Sequence, residues 1–263
     1  MINLVPPVRT ALRQTGSMLW MMVDTVAEMG DATLRGRFPF RLRIFFQQTD
    51  RVGVGSIPLV ALVSFFIGLT MALLTGYQLR TFGQEQLVPA LVTIAFTREL
   101  GPLMTGIMLA ARIGAAYTAE LGTMTVAEEV EAIEAMGLGP LRFLVSPRLL
   151  AVFLLMPCLV VVSDAMAMCG AALISRWAFD LPLEVFLESA MESLLIRDIV
   201  AGALKSLLFG LIIGLVSCYR GLTVRGGAAG VGDATTSSVV TAITTVIGVD
   251  TLFNIVLVAL FEP

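Results

Sequence analysis

One uninterrupted apolar block constrains the fold of this chain more than any other feature of its sequence. Residues 54–79 read VGSIPLVALVSFFIGLTMALLTGYQL and contain no charged side chain. A helix needs about 20 consecutive, mostly apolar residues to cross the hydrocarbon core of a bilayer. We therefore predict that this block crosses a membrane.

The rest of the chain contains four more long and mostly apolar blocks. Only 14% of the residues are charged, whereas soluble domains carry roughly 25%, and the mean hydropathy is +0.91. We predict an all-α integral membrane protein whose transmembrane domain spans residues 51–263. The predicted crossings are residues 54–79, 87–117, 146–175, 198–219 and 237–261.

The distribution of basic residues predicts the orientation. With a cytoplasmic N-terminus, the inner segments hold eleven arginines and the outer segments hold three, Arg80, Arg176 and Arg197. Cytoplasmic loops carry an excess of basic residues. We therefore expect the N-terminus inside and the C-terminus outside. The inner arginines are Arg9, Arg13, Arg35, Arg37, Arg41, Arg43, Arg51, Arg142, Arg148, Arg220 and Arg225.

Three segments outside the crossings have amphipathic patterns. Residues 1–50 mix apolar and basic side chains, which is typical of a helix lying in the cytoplasmic interface; a soluble pair of helices is the alternative. Residues 182–196 carry Glu184, Glu188 and Glu192 beside apolar positions, which predicts a short helix on the outer face. The third segment is the loop between crossings two and three.

This loop predicts a short cytoplasmic helix over residues 125–137. Thr125 followed by Glu128 has the spacing of a capping box, and Gly137 is typical of a helix end. An apolar stripe and an acidic side suit docking to a soluble partner, as in the coupling helix of ABC permeases; a solvated acidic helix is the alternative. The stripe contains Val126, Val130, Ile133 and Met136, and the acidic side contains Glu128, Glu129, Glu131 and Glu134.

Several charged or polar residues fall inside the predicted crossings. Arg98 and Glu99 interrupt the second crossing, Asp198 and Lys205 share a face of the fourth, and Asp250 shares a face of the fifth with Asn254. An unpaired charge in hydrocarbon costs at least about 2.5–3.5 kcal/mol. These groups should therefore face the protein interior. They either line a polar translocation path or form an ion-pair network that fixes helix register.

The sequence also excludes several kinds of chemistry. It contains no histidine and no G-x-x-x-x-G-K-[ST] motif, so it has no His-based site and no phosphate-binding P-loop. Its cysteines, Cys158, Cys169 and Cys218, lie in apolar segments and are interpreted as small buried hydrophobic residues. We expect no catalytic residue, no metal and no cofactor.

Residues 98–151 contain five short motifs in close succession, namely 98-RELGPL, 111-ARIGAA, 119-AELGTM, 131-EAIEAMGLGP and 147-PRLLA. These motifs give the chain a resemblance to the MlaE (YrbE) family of ABC-transporter permeases. The resemblance implies a homodimer in the bacterial inner membrane, a cytoplasmic ATPase that binds the ATP, a STAS-like subunit and a periplasmic ring of MCE-domain proteins. The implied function is movement of phospholipid between membranes, which maintains outer-membrane lipid asymmetry; relatives serve sterols or other lipids.

On this interpretation the intramembrane residues form a lipid cavity. Arg98, Glu99, Lys205 and Asp250 would supply its polar part, with Asp198 and Asn254 on the same faces. The hydrocarbon walls would include Phe65, Phe66, Leu69 and Met71. Two other functional classes remain open: an ion-coupled secondary transporter using Asp198, Lys205 and Asp250, and a membrane scaffold without transport.

Overall fold

The computed structural model describes residues 42–261, together with Gly16, Trp20 and Met21. Most of the predicted N-terminal amphipathic segment therefore lies outside the described residues. Between residues 42 and 261 the chain forms eight helices and no strand. They are α1 (Leu42–Val52), α2 (Ile57–Arg80), α3 (Glu85–Val126), α4 (Glu129–Ala135), α5 (Leu141–Phe179), α6 (Leu183–Ser193), α7 (Ile196–Leu222) and α8 (Gly227–Phe261).

Five helical stretches of this described region are long and apolar enough to cross a membrane. They are α1 with α2, then α3, α5, α7 and α8. The prediction of an all-α membrane protein with five crossings is confirmed. Several helices extend beyond the predicted crossings; α3 continues to Val126 and α8 begins at Gly227.

The helices divide into two compact units. Among the described residues, the first unit contains Ala110–Val152, Leu211–Thr244 and the part before Asp50. The second contains Asp50–Leu109, Phe153–Gly210 and the part from Thr245 onward. The boundaries fall inside helices, so α3, α5, α7 and α8 each supply residues to both units.

The first unit has an apolar core beneath α4. Ile133 of α4 is buried in it, together with Leu144 and Leu149 of α5 and Cys218 of α7. Thr118 of α3 adds a polar contact, because its hydroxyl bonds Ser238 Oγ of α8 at 2.8 Å and donates to the Ser217 carbonyl of α7 at 3.1 Å. Side-chain hydrogen bonds of this kind join helices where no water is present.

The second unit packs its helices through small residues. Every fourth residue of α2 on one face is small and buried, and a matching row on α5 faces it. Ser64 and Ser163, one from each row, are hydrogen-bonded through their hydroxyl groups at 2.7 Å. Small side chains allow two helix backbones to approach closely. The α2 row is Ser64, Gly68, Ala72 and Gly76, and the α5 row is Ser163, Ala167, Ala171 and Ser175.

Exposed aromatic side chains collect near the C-terminal ends of α2 and α5. Tyr77, Phe82 and Trp177 are all largely exposed, Trp177 by 85%. These helix ends are adjacent, since a Cβ placed on Gly76 would overlap the ring of Phe179. Tyrosine and tryptophan prefer the membrane–water interface, so this level is typical of a bilayer boundary.

One sequence interpretation needs correction. Cys218 is buried as expected, but Cys158 and Cys169 are exposed on the surface of α5, because an apolar crossing residue can face lipid as readily as protein. Arg148, one of the arginines predicted to be on the cytoplasmic side, lies near the start of α5, where its side chain is buried and paired with Glu120.

Candidate functional site

The regular hydrogen bonding of α3 is interrupted in the second unit, at the segment that carries Glu99. Residues Phe96–Leu100 form a π-helical turn that contains both Arg98 and Glu99. Single π-turns inside α-helices widen the helix locally and occur often at functional sites. Gly101 and Pro102 follow directly, and regular helix resumes at Gly101.

Glu99 contributes to a four-residue polar cluster with side chains from α7 and α8. The Lys205 ammonium group forms a short ion pair with Glu99 Oε2 and lies 2.9 Å from Asp250 Oδ1. Asn254 donates a hydrogen bond of 2.9 Å from Nδ2 to Glu99 Oε1. The ring of Phe253 lies 5.6 Å from the Lys205 nitrogen, close enough for a cation–π contact. Three membrane-spanning helices are thereby joined by one lysine.

Burial differs sharply between the members of this Lys205 cluster. The Lys205 side chain is fully buried and that of Asp250 is 7% exposed, whereas that of Glu99 is 34% exposed. A buried lysine without partners would be strongly unfavourable, and here both neighbouring carboxyl groups offset that cost. Among the charged members, Glu99 is the one with an accessible edge, and the half-buried Asn254 lies beside it. Glu99 is therefore the charged group of the cluster that is able to contact a further polar group.

The structure places the other predicted cavity residues outside this cluster. Asp198 and Lys205 do share a face of α7, but seven residues span about 10 Å along a helix. Asp198 is instead buried beside Arg197, with 3.9 Å between Nε and Oδ1. The half-buried Arg98 side chain has no hydrogen bond or ion pair within residues 42–261.

The four predicted wall residues all lie on α2 and have different surroundings. Phe66 is exposed and packs edge to face against the half-buried Phe65, with 5.6 Å between ring centroids. Met71 packs against the apolar cluster shared by α2, α3, α5 and α6, and Leu69 is half-buried. Of these, Phe66 is the residue most open to lipid.

Asp164, in the middle of α5, was not among the site residues predicted from the sequence. Its carboxyl group is half-buried, and its Oδ1 atom is fully buried without a hydrogen-bond partner among the described residues. This oxygen lies against Gly101, where a Cβ would overlap it. The only sequence signal was a lone aspartate within the apolar run of the third crossing.

The loop between the second and third crossings contains the predicted short helix, but its start differs. The hydroxyl of Thr125 donates to the Leu121 carbonyl at 2.9 Å and belongs to the end of α3. Glu128 has a left-handed backbone, with φ of 61°, and its side chain makes no cap. The capping box is therefore not formed, and α4 begins at Glu129.

The end of α4 agrees with the prediction. Gly137 has a φ of +72°, a conformation that favours glycine. Its amide donates to the Glu134 carbonyl at 2.9 Å, and the Leu138 amide donates to the Ile133 carbonyl at 3.2 Å. This is the Schellman arrangement that closes many helices.

The predicted apolar stripe of α4 is partly buried and partly exposed. Ile133 is buried and Val130 is half-buried against the core of the first unit, so these two residues hold α4 on its own chain rather than facing a partner. Val126, Met136 and Leu138 are exposed. All four glutamates of the predicted acidic side are also exposed, namely Glu128, Glu129, Glu131 and Glu134. The accessible surface of α4 is thus acidic with an apolar margin.

Comparison with known proteins identifies the family. The family model described as Permease MlaE matches residues 45–256. This chain belongs to the MlaE permease family. Among the described residues of this MlaE-family chain, no group of three or more His, Cys, Asp or Glu side chains is arranged to hold a metal ion.

Named relatives come from Rickettsia, Pyropia and Arabidopsis. The chain is 37% identical over 202 residues to a probable ABC transporter permease protein of Rickettsia typhi, covering 77% of this chain and 78% of that one. It is 37% identical over 227 residues to a probable ABC transporter permease protein of Pyropia yezoensis, covering 80% and 86%. It is 35% identical over 207 residues to the chloroplastic protein TRIGALACTOSYLDIACYLGLYCEROL 1 of Arabidopsis thaliana, covering 79% and 59%. The chain is accordingly a multi-pass ABC transporter permease.

Proposed function

We propose that this chain is the membrane-spanning subunit of an ABC-type complex that moves phospholipids between the inner and outer membranes. By doing so, the complex maintains the lipid asymmetry of the outer membrane. The observation that carries the proposal is the Lys205 cluster, a buried polar group inside membrane-spanning helices of an ABC permease. The name of the Arabidopsis relative contains that of a glycerolipid, which favours a lipid as cargo.

The chemistry of a phospholipid suits the second unit. Two acyl chains need an apolar surface, and exposed side chains such as Phe66 on α2 provide one. A charged head group needs a polar contact, and the partly exposed Glu99 carboxyl group offers an acceptor. We infer that the Lys205 cluster both holds α3, α7 and α8 together and orients this acceptor. Arg98, half-buried in the same π-turn, is the proposed contact for the head-group phosphate.

The proposed complex supplies what the chain itself lacks. With no P-loop in the sequence, ATP would be bound by a separate cytoplasmic ATPase, and we place that partner on the acidic surface of α4. A homodimer of this chain, a STAS-like small subunit and a periplasmic ring of MCE-domain proteins complete the proposed assembly. The proposed location is the bacterial inner membrane, with the N-terminus cytoplasmic and the C-terminus periplasmic.

The cargo can be identified by purifying the complex in mild detergent and analysing its bound lipids by mass spectrometry. We expect diacyl phospholipids in excess over their share of the surrounding membrane. Enrichment of a sterol or another lipid class would agree with a lipid-transporting permease but would contradict phospholipid as the cargo. Recovery without an ATPase, together with transport driven by an ion gradient, would instead identify a secondary transporter.

The role of the Lys205 cluster is tested by Lys205→Ala and Asp250→Ala. Removing one member of a buried ion pair typically costs about 3–5 kcal/mol, so assembly with the ATPase must be measured beside outer-membrane resistance to detergent. We expect normal assembly with lost resistance. The matched control is Arg80→Ala, because the Arg80 side chain is exposed and pairs with Glu85 at 3.3 Å; this variant should retain both. Lost assembly would assign the cluster a purely structural role, and normal behaviour in both assays would exclude it from transport.

A further inference from the structure

An ion pair between a buried arginine and a glutamate whose side chain is 34% exposed lies at the base of the loop that carries α4. Arg148, near the start of α5, places Nη2 2.6 Å from Oε1 of Glu120 on α3. Its other terminal nitrogen, Nη1, donates to the Leu144 carbonyl at 2.7 Å. One guanidinium group thus bridges α3 to the π-helical turn Leu141–Val145 that opens α5.

The surroundings make this bridge rigid. The Arg148 side chain is 4% exposed, and its guanidinium carbon lies 5.8 Å from the centroid of the fully buried Tyr117 ring. The planar guanidinium presents donors in a fixed fork, so it can hold a carboxylate and a carbonyl at once. A pair confined in this way has few alternative rotamers.

The same residues support α4. Ile133 is buried in a core that includes Leu144 and Leu149 of α5 and Leu121 of α3. Leu144 accepts the Arg148 hydrogen bond, and Leu121 directly follows Glu120. The short helix therefore rests on the two segments that the ion pair joins, and a displacement of α4 would be passed to both.

We propose that Glu120 and Arg148 are positioning residues that transmit movement of α4 to the membrane-spanning helices α3 and α5. This inference rests on the proposed function, in which a partner ATPase contacts the exposed face of α4. The pair does not touch ATP or lipid. Its role is to keep the base of the loop closed, so that a push on α4 moves the helices instead of only bending the loop.

The test uses the complete complex in vesicles of phosphatidylethanolamine and phosphatidylglycerol containing a fluorescent phospholipid. The informative variant is Glu120→Gln with Arg148→Gln, because it leaves no unpaired charge at the buried Arg148 position and retains groups that can hydrogen-bond. We expect normal recovery of the ATPase and normal ATP hydrolysis, with lipid moved per ATP reduced about 5-fold or more, the lower range of allosteric coupling. Arg148→Lys should show the same loss, since an ammonium group lacks the fixed fork.

The matched control is Arg80→Gln with Glu85→Gln, which removes an ion pair of the same charges whose arginine is 61% exposed instead of buried, and it should retain normal transport per ATP. The inference is overturned if the Glu120 and Arg148 variants also transport normally. It is equally overturned if hydrolysis, assembly and unfolding temperature fall in parallel with transport, because the pair is then only structural. If the unmodified complex moves no lipid when ATP is added, the proposed function itself fails, a result visible before any variant is made.

Discussion

At the scale of single residues, two glycines set the spacing of α2 and α5. A Cβ placed on Gly68 would overlap the backbone carbonyl of Ala167, and one placed on Gly170 would overlap the carbonyl of Phe65. Since both obstacles are backbone atoms, no side-chain rotation can relieve them. Without a hydrophobic driving force between helices in lipid, such close packing is a main source of stability.

We therefore expect Gly68→Ala to destabilise the protein by about 1–3 kcal/mol, the usual cost of overpacking. Gly248→Ala is the matched control, because nothing lies within 4 Å of a Cβ at that exposed position of α8. Thermal unfolding in detergent should separate the two variants. Equal unfolding temperatures would show that α2 and α5 are not held by this contact.

The sequence predicted the surroundings of some charged and polar residues and not those of others. The spacing of Asp250 and Asn254 predicted one shared helix face, and both side chains contact members of the Lys205 cluster. The same argument grouped Asp198 with Lys205, but sharing a face does not bring two turns of a helix together. Periodicity describes one helix at a time, and the pairing of Lys205 with Glu99 depends on which helices touch.

At the scale of the element, α4 shows what an amphipathic pattern leaves open. The sequence predicted a short helix over residues 125–137, and the Schellman closure at Gly137 follows from the glycine itself. It did not predict that α4 begins only at Glu129, because a threonine hydroxyl can bond backward to a carbonyl as well as cap a helix. Nor can periodicity reveal whether an apolar stripe is covered by the same chain or by a partner.

The acidic face of α4 is the part that remains available for docking. Replacing Glu128, Glu131 and Glu134 together with lysine should dissociate or uncouple the ATPase, because the local charge is reversed while Ile133 stays in the core. Co-purification of the ATPase and its hydrolysis rate measure the effect. The same triple replacement at Glu184, Glu188 and Glu192 of α6 is the control and should leave ATPase binding intact. Normal ATPase binding and lipid-dependent activity in the α4 variant would show that docking occurs elsewhere.

At the scale of the whole molecule, the predicted membrane topology rests on charge and on aromatic side chains. The predicted orientation places eleven arginines inside against three outside. Exposed Tyr77 and Trp177 lie at the helix ends that this orientation places outside. Five crossings were predictable because the hydrocarbon thickness fixes helix length. The division into two units was not predictable, because its boundaries fall inside helices at positions where the sequence shows no change in hydropathy.

The orientation is tested by labelling single cysteines in intact cells with a membrane-impermeant thiol reagent. The background needs all three native cysteines replaced, because Cys158 and Cys169 are exposed on the protein surface. A cysteine at Glu188 of α6 should react before lysis, since small reagents cross the outer membrane. A cysteine at Glu131 of α4 should react only after lysis, and both positions are exposed, so protein burial does not distort the comparison. Reversal of the two labelling patterns would place α4 on the periplasmic side, where it could not contact a cytoplasmic ATPase. That result would contradict both the predicted orientation and the proposed docking surface.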